Sequence, residues 1–347
     1  MKLSDFDYNL PKELIAQYPN EERDTCRLMV LDRNKQTIEH HTFRDILEYV
    51  RKDDLFILND TQVLPARLIG KRPSGGRVEV LLIGPKKGSC FNAMIKPSRL
   101  KVGEKIIFTP PFLKNKPSVE KERAGLNGAK SFGIISGRNE ITFDFQDVPS
   151  IYKLGIMPLP PYIKREAQDL DRIYYQTVYA REEGAIAAPT AGLHFTKELI
   201  EKMESLGINF AHLTLHVGVA TFKPVKDENI TGHKMEPEYF KISQEAMKKI
   251  ENARKEQYRI IAVGTTSLRA LETYAQGKNE GDTDLFIYPG YKFKITDDLL
   301  TNFHLPKTTL FMLVCAFAGE KLIKQAYQFA IDKKYGFYSY GDAMLII

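Results

Sequence analysis

The feature that most limits the fold is a break in pattern: residues 63–150 do not share the texture of the chain on either side. Short runs of β-forming residues, Arg77–Ile83, Lys105–Phe108 and Glu140–Phe145, are separated there by clusters of Gly, Pro and Lys. That spacing predicts a small β-barrel or sandwich. From Ile151 onward, strands alternate with amphipathic helices. Thr196 reads as the N-cap of a helix Lys197–Leu206 that stops at Gly207. Arg259–Val263 reads as a buried strand, Gly264–Ser267 as a tight turn and Leu268–Ala275 as the next helix. Residues 1–62 have a similar mixture. The expected fold class is therefore a mixed α/β domain interrupted by an inserted small β-barrel: 1–62 and 151–347 form the discontinuous α/β domain and 63–150 the insertion.

Charge follows the same boundary. The segment 63–150 holds 16 Lys and Arg against 7 Asp and Glu, a net +9, so a chain whose total is +6 carries −3 elsewhere. Such a basic β-rich segment is either a solvated charged surface or a domain that faces RNA, and on the second reading Lys71, Arg72, Lys86, Lys87, Lys96 and Arg99 are the candidate RNA contacts. The stretch Thr109–Lys130, with its prolines and charges, reads as an exposed loop.

Several classes lose ground. The longest apolar run, Leu310–Ala318, is about half the ~18 residues a membrane span needs, and reads as a buried helix. The apolar stripe Leu322, Ile323, Ala326, Tyr327, Ala330 and Ile331 is that of a second packed helix. Residues 1–13 lack the apolar centre of a secretory signal. Cys26, Cys90 and Cys315 offer neither a disulfide framework nor a paired zinc motif, so a reducing, cytoplasmic setting is expected. No Gly-x-Gly-x-x-Gly, Walker or His-Glu-x-x-His motif is present.

Chemistry is concentrated in four polar segments that read as strand ends or turns: 187–195, 216–222, 264–267 and 301–306. In α/β proteins ligands bind outside the carboxyl ends of strands, so four such segments point to one composite site. His212 and His216 have the i, i+4 spacing of zinc ligands. On the strand that 209–217 predicts, however, they stand ~13 Å apart, too far for direct binding to one ion.

These segments also carry a resemblance. Phe6–Tyr8 with Leu14–Gln17, Asn59–Thr61 leading to Pro65–Arg67, Ala187–Thr196, Leu215–Gly218, Ala262–Thr266, Thr301–Pro306 and Ser339–Met344 occur in the order and form found in the S-adenosylmethionine:tRNA ribosyltransferase-isomerases, and the chain resembles that family end to end. The resemblance implies an α/β domain interrupted by a β-barrel. It implies transfer and isomerisation of the ribosyl group of S-adenosylmethionine onto 7-aminomethyl-7-deazaguanine in a tRNA with a GUN anticodon, giving epoxyqueuosine, adenine and methionine. It further implies a monomer with no membrane partner, no metal and no prosthetic group, S-adenosylmethionine being a co-substrate. The sulfonium acidifies the neighbouring C5′ proton, so such a site needs a base, a way to expel adenine and donors for developing oxyanions.

On that reading His194, His216, His233, Glu238 and His304 are the proton-transfer candidates. Asn59, Asp60, Thr190, Gly192, Gly218, Thr221, Thr265, Thr266, Ser267, Arg269, Asn302 and Asp342 are candidate substrate contacts. Arg269 and Asp342 are read as holding the cleft together, and Asn302 and the threonines as donors to the methionine carboxylate or ribose oxygens. Three positions depart from the family pattern: Ala220 for a usual Gly, Glu236 for a usual His and Gly336 for a usual Arg. A non-catalytic RNA-binding protein would account for the basic segment but not for the polar loops. A metal-dependent hydrolase would need the histidine pair that the strand spacing separates.

Overall fold

The strand Leu55–Asn59, buried along its whole length, sends alternate side chains into two different cores. Leu55 and Ile57 join one, Phe56 and Leu58 the other. A strand covered on both faces belongs to a parallel sheet flanked by helices. The computed structural model describes residues 1–109, 131–144, 147–218, 225 and 227–347. Contacts divide the chain into two compact units, one of Met1–Gln62, Pro160–Arg165 and Ile173–Ile347, the other of Val63–Leu159 and Glu166–Arg172.

The first unit is built on a nine-stranded sheet in the order Glu280–Thr283, Glu238–Ile242, Asn209–Leu215, Leu55–Asn59, Ile260–Val263, Asp298–Asn302, Ala343–Ile346, Arg27–Asp32, Thr37–Thr42. Its four central strands, Asn209–Leu215 to Asp298–Asn302, run parallel. Antiparallel pairs flank them, and Arg27–Asp32 lies parallel to Ala343–Ile346. One face is covered by the helices Gln244–Lys255, Thr265–Tyr274, Thr309–Ala318 and Glu320–Asp332, the other by Lys197–Ser205.

Local sequence explains the element ends. Thr196 caps its helix by accepting the Leu199 N–H at 3.1 Å, and Gly207 follows the helix with φ +82°. The segment 264–267 corrects the sequence expectation. Only Gly264, at φ +92°, makes the turn, and the helix begins at Thr265 rather than Leu268. Thr265, Thr266 and Ser267 are thus its first helical turn. Low helix propensity hid this, because the packing of a wholly buried turn outweighs it.

The second unit is a closed six-stranded antiparallel barrel. Its strands run Arg67–Lys71, Arg77–Lys87, Cys90–Lys96, Glu140–Phe143, Ser131–Gly137 and Lys105–Phe108, and the last pairs back onto the first. Val78, Val80, Leu82, Phe91, Ile106, Phe108 and Ile141 fill it. Two glycines let it close. A Cβ at Gly70 would stand 2.6 Å from Ile106, and one at Gly133 would stand 2.7 Å from Ile141. The expected loop 109–130 lies, apart from Thr109, outside the described residues, as do Phe145, Ala220 and Thr221.

Candidate active site

Neighbouring parallel strands end on one cavity. Gly264 follows Ile260–Val263, Asn302 closes Asp298–Asn302, and Val217 lies two residues beyond Asn209–Leu215; all three line it. Asn59, at the end of the fourth central strand, stands behind them and donates to Leu215 O at 3.0 Å and to Thr266 Oγ1 at 3.3 Å. Thr190 and Pro189 of the turn before His194 complete the rim, together with Tyr162, Phe303, His304, Tyr338 and Ser339. The cavity encloses about 490 Å³ including its mouth, and no Asp, Glu, Lys or Arg among the described residues lines it. Its polarity comes from hydroxyls, one amide, one imidazole and the free N–H groups of a helix start, where partial positive charge favours a carboxylate.

His304 is the histidine of this cavity. Its ring contacts Thr301 Oγ1 through Nε2 at 3.0 Å, its backbone N–H donates to Tyr327 Oη at 3.0 Å, and its carbonyl accepts from Tyr8 Oη. Burial lowers its pKa to about 3, so the imidazole is neutral near pH 7. His194 is also buried, with its pKa lowered by burial to about 4, but it lines a second, smaller cavity with Arg23, Tyr174 and Tyr340. Its Nδ1 lies 3.0 Å from Cys26 Sγ and its Nε2 3.2 Å from Asn302 Nδ2. Both ring nitrogens are engaged.

The remaining candidates fall into separate groups. His216 bonds Thr61 Oγ1 at 2.8 Å and stacks on Tyr239, and burial lowers its pKa. Asp60 accepts from Arg181 Nε and from Thr214 Oγ1, both at 2.7 Å. Glu238 pairs with the buried Arg269 and accepts the Gly218 N–H at 2.9 Å, so these three form one locked cluster. His233 lies near Asp227 and packs edge-on to Phe286, apart from the cavity. Asp342 is committed to Arg27 and to the Gly336 N–H at 2.7 Å. Where the family pattern has Arg, Gly336 leaves room for Gly341, since a Cβ there would stand 3.1 Å from its Cα. Gly192 is a packing position, for a Cβ would stand 2.0 Å from Tyr179 Oη. Ser267 spends its hydroxyl on Val263 O at 2.8 Å. Thr221 lies outside the described residues.

On the barrel, Arg72 pairs with Glu104 and Lys86 with Glu140. Lys71, Lys87, Lys96 and Arg99 are exposed with no carboxylate partner among the described residues. Among the described residues no group of three or more His, Cys, Asp and Glu is arranged to hold a metal ion.

Sequence reasoning missed Cys26, Tyr162 and Tyr338. Tyr162 bonds Ser339 Oγ at 2.5 Å and meets the Tyr338 ring edge-on, 3.9 Å between centroids. Tyr338 adopts φ +75°, a conformation uncommon for a bulky residue and often found at functional sites. The aromatic-Ser-aromatic-Gly run 338–341 was the available signal.

An uncharged, hydrogen-bonding cleft at the strand ends of an α/β unit is that of a small-molecule-binding enzyme, here one whose chain also forms a closed β-barrel. The chain belongs to the queuosine biosynthesis protein family, whose model it matches over residues 3–346. It is 51% identical, over the full length of both chains, to a Sulfurihydrogenibium protein named S-adenosylmethionine:tRNA ribosyltransferase-isomerase. It is 47% identical, again over both full lengths, to the Aquifex aeolicus protein of the same name. It is also similar to the crystal structure of S-adenosylmethionine tRNA ribosyltransferase from Thermotoga maritima, at 35% identity and a TM-score of 0.55, covering 99% of this chain and 100% of that one.

Proposed function

We propose that this protein is an S-adenosylmethionine:tRNA ribosyltransferase-isomerase, joining the ribosyl group of S-adenosylmethionine to 7-aminomethyl-7-deazaguanine in tRNA with loss of adenine and methionine. The observation that carries the reading is end-to-end identity of about half with relatives named for that activity. The cavity supports it. Its uncharged walls and aromatic faces suit a nucleoside, and the start of helix Thr265–Tyr274, with Thr265 and Thr266 on the rim, suits the methionine carboxylate.

His304 is the proton-transfer group this geometry favours, because it is the one imidazole among the described residues that line the cavity. A neutral imidazole accepts a proton from the carbon made acidic by the sulfonium, and the imidazolium so formed can return it to a leaving base. The exposed Lys71, Lys87, Lys96 and Arg99 make the barrel the proposed tRNA contact. On this reading the enzyme acts in the cytoplasm as a monomer on GUN anticodons and uses no prosthetic group.

The test is incubation of purified protein with S-adenosylmethionine and tRNA bearing the aminomethyl base, following adenine and the mass of the modified nucleoside. Adenine release in step with a ribosyl-derived mass gain is expected. RNA binding without either signal would favour a non-catalytic binding protein.

A further inference from the structure

Asn302 is 2% exposed, lines the main cavity, and has both amide hydrogens committed. One goes to Tyr338 O at 3.0 Å, the other to His194 Nε2 at 3.2 Å. The Tyr338 carbonyl fixes which way round the amide sits, since a flipped side chain would set oxygen against oxygen. Asn302 Oδ1 is then a buried acceptor with no hydrogen-bond partner among the described residues. A buried carbonyl oxygen left unmatched is costly, and a ligand donor is what would satisfy it.

We infer that Asn302 Oδ1 accepts a hydrogen bond from the exocyclic amine of the adenine ring, and that Cys26 and His194 hold it in that role. The inference rests on the proposed function and changes the part expected of Asn302, from donor to acceptor. S-Adenosylmethionine carries donors of three kinds: the adenine amine, the ribose hydroxyls and the α-ammonium. The uncharged wall around Asn302 selects among them. A buried ammonium needs a carboxylate or several oxygens to replace its water, and no carboxylate among the described residues lines this cavity. Ribose hydroxyls donate and accept equally, so they would not need a side chain stripped of its own donors. A neutral purine amine beside the rings of Phe303 and Tyr338 fits both the oxygen and the apolar wall.

The orientation is relayed. Because the amide donates to His194 Nε2, the imidazole must carry its proton on Nδ1, and Nδ1–H donates to Cys26 Sγ at 3.0 Å. Cys26 is thus a positioning residue: by accepting Nδ1–H it favours the tautomer whose Nε2 accepts from the amide, and so reinforces the orientation that the Tyr338 carbonyl already imposes.

The experiment compares S-adenosylmethionine with its inosyl analogue, in which an exocyclic carbonyl oxygen, an acceptor, replaces the amine donor at C6 and the neighbouring N1 carries a hydrogen. Binding is read by calorimetry, and base release with the modified tRNA is read in parallel. The wild-type protein should bind the adenosyl compound about 10- to 100-fold more tightly. Asn302→Ala should bring that ratio close to one. Cys26→Val should lower the ratio and Cys26→Ser, which keeps an acceptor, should restore it. Equal binding of the two compounds by the wild type, or binding of neither, overturns the inference without recourse to any variant. Discrimination in binding without base release would leave the acceptor role standing and remove the proposed transferase activity instead.

Discussion

Asn59 donates to Thr266 Oγ1 at 3.3 Å, which joins the end of one central strand to the first turn of the helix following its neighbour. The same side chain donates to Leu215 O and accepts the N–H groups of Leu215 and Thr61 through Oδ1, at 3.0 and 3.2 Å. Asn59 therefore positions the rim without lining it. Replacing it with Leu leaves those backbone groups unmatched, and denaturant unfolding should show a loss of about 2–4 kcal/mol.

The Arg269–Glu238 pair is buried on both sides. Arg269→Met strands a carboxylate and should cost about 3–5 kcal/mol, whereas adding Glu238→Leu should recover most of it. A double-mutant cycle by urea unfolding measures the coupling, and additive losses would show that the pair is not coupled.

Acid should weaken the α/β unit through its buried histidines, in a window where the Asp298 carboxyl, raised by burial to about 6, offsets part of the loss as it is protonated. His194 and His304, ordinarily near 6.5, are lowered by burial to about 4 and about 3. With folded values depressed, the unfolded chain binds more protons in that window, so stability is fully present above about pH 6.5 and declines as pH falls toward 3–4. The decline should amount to a few kcal/mol, because each histidine must be charged against the cost of its burial. Thermal melts between pH 4 and 7 of the wild type and of His304→Gln would show it, and the variant should lose part of the slope.

His304→Gln should also lower kcat about 10²- to 10⁴-fold with S-adenosylmethionine affinity changed far less. Single-turnover adenine release is the measurement. Near-normal chemistry would remove His304 as the proton-transfer group.

RNA affinity should respond unequally to the basic residues of the barrel. Lys87→Ala and Lys96→Ala remove exposed charges and should each flatten the dependence of log K on log salt by about 0.7 per lost phosphate contact, the value for single-stranded nucleic acid. Arg72→Ala and Lys86→Ala should do less, because Glu104 and Glu140 already neutralise those side chains. Filter binding across a salt series separates the two pairs.

The barrel was legible because strand runs, turn residues and charge changed together at Val63, and the α/β unit because Arg259–Val263 and Thr196–Gly207 carry strong local signals. The polar segments 187–195, 264–267 and 301–306 were legible as strand ends, and they do meet at one cavity. Sequence could not say which polar groups are already spent. Ser267, Glu238 and Asp342 look as reactive in a sequence as His304, yet each is taken by a partner that only folding supplies. Nor could it find Cys26, 168 positions from the histidine it touches.

Placing Ala343–Ile346 between Arg27–Asp32 and Asp298–Asn302 also orders events during synthesis. The sheet cannot join its first strand to its centre until residues 343–346 have left the ribosome, so the pair Arg27–Asp32 and Thr37–Thr42 must wait with an open apolar edge, while every strand of the six-stranded barrel is made by residue 143. The basic insertion can be folded on a nascent chain whose ligand cleft does not yet exist.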